Sequence, residues 1–145
     1  MAMSVLAYEH PFSPNFINEV TAIMINPFVK FKGFEFFGTF ETSSGKLAFE
    51  TETRTWTQLH GEAVYRFGEK ENVYVGAKYN VASGALVGGR EVSIDRLAFA
   101  AGWFMTKNVM MKAEYVIQNY NDFAATSIFN EGSFNGAVLE AVISF

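Results

Sequence analysis

Cysteine is absent from this 145-residue chain, histidine occurs twice and proline three times. Without thiols there is no disulfide scaffold, no thiol nucleophile and no thiolate zinc site. Charge is scarce as well. Only 18% of the residues are charged, with a formal net charge of -4 and a pI of about 5.2. That balance speaks against nucleic acid as a partner, because phosphate binding needs clustered Lys and Arg to release counterions.

Long hydrophobic runs are also missing. The longest nearly unbroken apolar stretch, Leu97 to Met105, has nine residues, less than half of the roughly 20 that a spanning helix needs. Helical spans are therefore excluded. A spanning strand needs only about 9 to 11 residues and hides its lipid face by alternation, so that option stays open. The stretch Met1 to His10 has neither a basic start nor a sufficient apolar centre for a secretory signal. An exported protein with this sequence is then expected to be a mature form or a fragment.

What is present is apolar and aromatic: half the residues are hydrophobic, 17% are aromatic and 16 are Phe. Such a chain can offset the entropy of ordering, which excludes disorder. Its length suits one domain over residues 1–145, with 1–25 the least regular part.

Polar or Gly-bearing breaks fall near Pro11 to Asn15, Asn26-Pro27, Thr42 to Glu52, Gly68 to Asn72, Ser83 to Arg90, Thr106 to Asn108 and Asn121 to Gly132. The runs between them alternate with period 2 and read as strands. They are Met3 to Tyr8, Phe16 to Ile25, Phe28 to Glu41, Arg54 to Phe67, Val73 to Ala82, Val92 to Met105, Val109 to Tyr120 and Ser133 to Phe145. Asn26-Pro27, Gly68 to Asn72 and Thr106 to Asn108 read as tight turns between longer loops. The expected fold is all-β, an antiparallel up-and-down barrel of about eight strands with both termini at the short-turn end.

Two faces can be read along these runs. Leu59, Gly61, Ala63, Tyr65 and Phe67 oppose Gln58, His60, Glu62, Val64 and Arg66, and Val73, Val75, Ala77, Tyr79 and Val81 oppose Tyr74, Gly76, Lys78 and Asn80. In the strand from Val109, one face is entirely apolar while the other includes Lys112, Glu114 and Gln118. The run Phe28 to Glu41 fits neither register cleanly; a bulge near Gly33 would bring Phe34, Phe36 and Phe40 to the side of Val29 and Phe31. A soluble barrel would turn the apolar face inward, whereas a membrane barrel turns it to lipid and lines its lumen with the polar one. Aromatic placement favours the second. Phe28, Phe67, Tyr74, Trp103 and Phe145 lie near the short turns or the C-terminus, and Phe40, Trp56, Tyr120, Phe123 and Phe134 lie near the long loops. These are two girdles around an aliphatic band. The polar set Gln58, His60, Glu62, Arg66, Lys78, Asn80, Arg96, Lys112, Glu114, Gln118 and Glu140 is the expected lumen lining.

Several stretches carry a resemblance. They are Asn26-Pro-Phe-Val-Lys-Phe-Lys-Gly-Phe-Glu-Phe-Phe-Gly38, Tyr65-Arg-Phe-Gly68 before Val73-Tyr-Val-Gly-Ala-Lys-Tyr79, Gly102-Trp-Phe-Met-Thr-Lys-Asn108 and Val142-Ile-Ser-Phe145. About the last 120 residues resemble the C-terminal portion of porin-like outer-membrane β-barrels of the Bacteroidota. The resemblance implies a Gram-negative outer membrane, a lipid bilayer around the wall, and passive passage of ions or small solutes or a structural or accessory role. It also implies recognition of the last strand, through Ile143 and Phe145, by the outer-membrane assembly machinery. Glu140 stands where that signal commonly has Gly. Complete barrels of the family carry a signal peptide and often more strands, so further strands or subunits are expected partners if this is a segment.

Little else points to chemistry. His10 and His60 are the only histidines, and no metal-ligand spacing is visible. His60 with Glu62 on one face is the single base-and-orienter candidate. The glycines of Ser83 to Arg90 lack the helix and the Lys-Ser/Thr of a phosphate cradle. Phe28-Val-Lys-Phe-Lys32 alternates as a single-strand nucleic-acid platform would, and Pro11 to Pro14 matches PxxP; neither fits the acidic, strand-rich frame. No enzyme activity, cofactor or metal is expected. The alternative is a soluble barrel of lipocalin or fatty-acid-binding size around a small apolar ligand.

Overall fold

A computed structural model describes residues 19–68 and 70–144. The expected strand over Met3 to Tyr8, the first part of that from Phe16, Pro11 to Pro14, His10 and Phe145 lie outside them. Eight strands form one antiparallel sheet: β1 (Glu19–Ile25), β2 (Phe28–Phe31), β3 (Phe34–Lys46), β4 (Arg54–Phe67), β5 (Val73–Ala85), β6 (Glu91–Thr106), β7 (Val109–Asn121) and β8 (Ser133–Ile143). The order is β1-β3-β4-β5-β6-β7-β8, with β2 also on β3. There is no helix among the described residues.

From β4 onward the strands fall where alternation and turn residues put them. The N-terminal part differs. Asn26-Pro27 is no turn: β1 pairs Ile25 with Phe40 and β2 pairs Phe28 with Phe37, so both continue along β3 in one register. Proline is tolerated there because β1 and β2 form the sheet edge, where a missing N–H breaks no inner ladder; the Pro27 carbonyl still accepts from Gly38 N–H at 2.9 Å.

The turn falls instead at Lys32-Gly33, so Phe28 to Glu41 is a hairpin and not one strand. Lys32 takes the positive φ (52°) such a turn needs. Gly33 lies so close to the next strand that a Cβ would stand 2.6 Å from the Arg66 carbonyl oxygen. Val29, Phe31, Phe34, Phe36 and Phe40 do share a face, through this turn and not a bulge.

Short turns (32–33, 68–72, 107–108) therefore lie at one end of the sheet and the loops 47–53, 86–90 and 122–132 at the other. β1 starts at the loop end, since Glu19 pairs with Lys46, and β8 ends at the short-turn end, where Ile143 pairs with Val109. β1–β2 and β8 are not paired with each other, so the sheet is open, and both edges run in the same direction.

The faces divide unequally. Cross-strand pairs Ala63 with Ala77, Ala77 with Phe99, Phe99 with Tyr115 and Tyr115 with Ala137 run along the apolar face, where Phe99 is 50% exposed. Trp56, Val92, Ala98 and Val116, all on the opposite face, are buried, Ala98 to 1%. The sheet curls around its polar face and turns its apolar one outward.

Candidate functional site

All eleven polar positions fall on the curled-in face, in adjoining rows. Gln58 faces Ala82, His60 faces Asn80, Glu62 faces Lys78 and Arg66 faces Tyr74 across β4 and β5. Asn80 continues to Arg96 on β6 and Arg96 to Gln118 on β7. Lys112 faces Glu140, and Glu114 faces Val138, across β7 and β8. Alternation puts them on one side, and the common register makes them neighbours.

Two carboxylates organise the charge, each held by two cations. Glu114 takes Lys78 at 2.9 Å and Lys112 at 2.8 Å. Lys78 reaches it from β5 across β6, whose residues there are Ala98 and Ala100. Small residues on β6 thus leave room for a bridge between strands that are not neighbours. A cavity of about 170 Å³ lies among Glu62, Tyr74, Lys78, Lys112 and Glu114. Glu35 takes Lys30 at 2.7 Å and Arg66 at 3.3 Å, tying β2, β3 and β4.

Lys30 and Glu35, which are not in the expected lining, belong to this face, as does Tyr74, which the alternation already set beside Lys78 and Asn80. The first two become visible once Lys32-Gly33 is recognised as a turn, because a two-residue hairpin sets positions 30 and 35 opposite each other. Tyr74 and Phe104 flank the Arg66 guanidinium, each with its ring centre 5.9 Å away.

His60 shares a hydrogen bond between Nδ1 and Asn80 Oδ1, and its Nε2 stands 3.9 Å from Glu62. Its ring packs at 5.7 Å from that of Phe37. Hydrogen bonding to Asn80 fits a structural residue in a polar row. Among the described residues no group of three or more His, Cys, Asp or Glu is arranged to hold a metal ion.

The loop end of this face is closed by side chains. Trp56, Val92 and Phe123 form a buried cluster with Leu86, Ile94, Tyr120 and Phe129 packed on it. Phe123, from the loop after β7, thereby reaches over β6 and β5 toward β4. Trp56 Nε1 and Arg54 Nη1 both donate to the Ala85 carbonyl at 3.1 Å. At the start of β4, Arg54 Nε and Nη2 donate to the two oxygens of Glu50 in the preceding loop at 2.7 and 3.0 Å. This guanidinium, followed by the Leu47 N–H at 2.8 Å, holds the Glu50 carboxyl below the usual carboxylate range.

The girdle expectation needs correction. Phe67 and Trp103 lie on the apolar face near the short turns, joined there by Phe31, Phe34 and Tyr65, and Phe40 lies on that face toward the loops. Phe28, Tyr74, Trp56, Tyr120 and Phe134 share the polar side, and Phe123 is in the buried cluster. Nearness to a turn does not fix the face of a strand residue; parity does. Ile143 stands at the end of β8 opposite Val109.

The outer face has a sharp boundary. Its apolar positions span Leu59–Phe67 on β4, Val73–Val81 on β5, Leu97–Met105 on β6 and Val109–Ile117 on β7, nine residues each. The next residues of that face toward the loops are Thr57, Ser83, Asp95 and Asn119. Asp95 accepts from Asn119 and Asn121, each at 2.9 Å, and Ser44 pairs with Thr55 at 2.9 Å. The most apolar hollow, among Ala63, Ala77, Ala101 and Ala113, is a depression on this outer face and not an enclosed chamber.

No protein-family model, no curated protein and no solved structure matches this chain.

Proposed function

We propose that this sheet is the wall of a transmembrane β-barrel of a Gram-negative outer membrane, with its apolar face against lipid and its ion-paired face lining a lumen for ions or small solutes. The observation that carries the reading is the inversion of the two faces. The nine-residue apolar stretches are exposed while the charged rows are enclosed, the opposite of what a soluble barrel around an apolar ligand requires. Nine residues rise about 30 Å, or roughly 23 Å at a strand tilt of about 40°, close to the apolar band of outer-membrane barrels. The hydrogen-bonded collar beyond Thr57, Ser83, Asp95 and Asn119 then stands in the headgroups and water. Antiparallel closure takes an odd number of additional strands, because β1–β2 and β8 run the same way.

The lattice around Glu35 and Glu114 and the cluster over Trp56 narrow the passage, which favours small ions over larger solutes. The test is partition of the purified chain between detergent micelles and plain buffer, with gel mobility before and after heating. Detergent dependence and a heat-induced shift are expected, and ion conductance in planar bilayers is the next readout. A chain that stays folded and monodisperse without detergent would overturn the membrane reading and restore the soluble one.

A further inference from the structure

Outside the strands, the exposed large hydrophobic side chains among the described residues are Phe49, Val87 and Ile128, at 73%, 56% and 89%. They lie in three different loops, and all three loops are at the same end of the sheet. The described residues of the short turns at the other end hold none. A single exposed apolar residue means little, but three on neighbouring loops form a pattern.

Each loop is also clamped. Glu50 holds Arg54 and the Leu47 N–H in the first. In the second, Leu86 N–H donates to the Arg90 carbonyl at 2.9 Å and Gly89 N–H to that of Leu86 at 3.0 Å. The third has Ser127 N–H on the Ala124 carbonyl at 2.8 Å and Gly132 N–H on that of Phe129 at 3.0 Å, with Phe123 and Phe129 anchored beneath it. Phe123 and Phe129 turn into the cluster while Ile128 points away from it. Apolar groups held outward on ordered loops lose little freedom when a partner covers them.

Charge selects the partner. Glu19, Glu50, Glu52, Glu91, Asp122 and Glu131 stand in or beside these loops against Lys46, Arg54 and Arg90, with Lys46 paired to Glu19 at 3.3 Å. Arg54 is buried on Glu50, and Arg90 turns to the Asp122 carbonyl at 3.4 Å. Hollows of about 600 and 1140 Å³ separate the first loop from the second and the second from the third.

We infer that this end is a docking surface for a polypeptide that presents apolar side chains flanked by Lys or Arg. The carboxylates would repel an anionic lipid surface or an acidic peptide, and they complement a basic one. The inference does not depend on what the wall faces.

A direct test titrates the full chain in non-ionic micelles with a fluorescent ten-residue peptide of alternating Lys and Leu. Controls are the matched Glu-Leu peptide, empty micelles and phosphatidylglycerol vesicles. Saturable binding of the Lys-Leu peptide above the empty-micelle level is expected. Ile128→Ser or Phe49→Ser should weaken it roughly tenfold, while Lys32→Ser at the opposite end should leave it unchanged. Should a tip variant lose the folded gel mobility, Glu52→Gln with Glu131→Gln serves instead and should also weaken binding. Equal binding of the two peptides, indifference to the tip and charge variants, or attachment through these loops to the vesicles would overturn the inference.

Discussion

At the residue scale, Gly102 shows how tightly the inner face is filled. The Tyr74 ring lies over it, and a Cβ at 102 would overlap that ring. Gly102→Leu is expected to destabilise the folded state by about 1–3 kcal/mol, as overpacking does, and Tyr74→Ala in the same chain should recover part of the loss. The urea midpoint of the heat-modifiable band reads both, and their non-additivity measures the contact. Glu50 offers a pH test. Its carboxyl is held below the ordinary range by Arg54 and then by the Leu47 N–H. A depressed native pKa means stability that is fully present above the unfolded carboxylate range and is lost as pH falls through the native value. Hydrogen exchange at Leu47 should therefore be protected at neutral pH and lose its protection on acidification, and Glu50→Gln should remove that pH dependence.

At the scale of elements, Glu114 ties β5 to β7 across the small residues of β6. Glu114→Gln leaves Lys78 and Lys112 without their carboxylate and is expected to cost about 1–2 kcal/mol, less than for a dry buried pair because both lysines are partly exposed beside a cavity. Glu62→Gln, at a carboxylate that stands 3.9 Å from His60 Nε2, should stay within about 0.5 kcal/mol; urea midpoints compare the two. The strands that carry this lattice were legible in the sequence. Arg54–Phe67 has the expected bounds, and β5 to β8 differ by a few residues at their ends, because period-2 alternation and Gly, Asn or Lys turns speak together there. The first hairpin was not legible. Phe28 to Glu41 contains ten aromatic or charged residues and two glycines, and a proline two residues past Ile25 looked like the break. The true turn depends on a Lys at positive φ and on the close approach of Arg66, which are properties of the neighbouring strand.

Over the whole molecule, alternation sorted residues into two faces but could not by itself say which face curls inward. Parity alone placed all eleven polar residues together, while the girdle residues scattered because distance from a turn was used in place of parity. Which side is enclosed depends on strand curvature, on Lys78 reaching over Ala98 and Ala100, and on Phe123 folding back to Trp56. Those are long-range contacts with no local signal. The enclosed side is the charged one, and the membrane reading rests on that.

The absence of cysteine makes the decisive measurement clean, since single introduced thiols can be spin-labelled without background. With the chain in lipid bilayers, labels at Ala98, Phe99, Ala100, Ala101, Glu114 and Tyr115 report accessibility to oxygen and to a water-soluble nickel complex. The account predicts alternation, with 99, 101 and 115 exposed to oxygen in the bilayer, 100 and 114 exposed to the nickel complex, and 98, buried beneath the Lys78–Glu114 bridge, shielded from both. Equal water access at odd and even positions, or shielding of the odd positions inside a protein that folds without lipid, would contradict it.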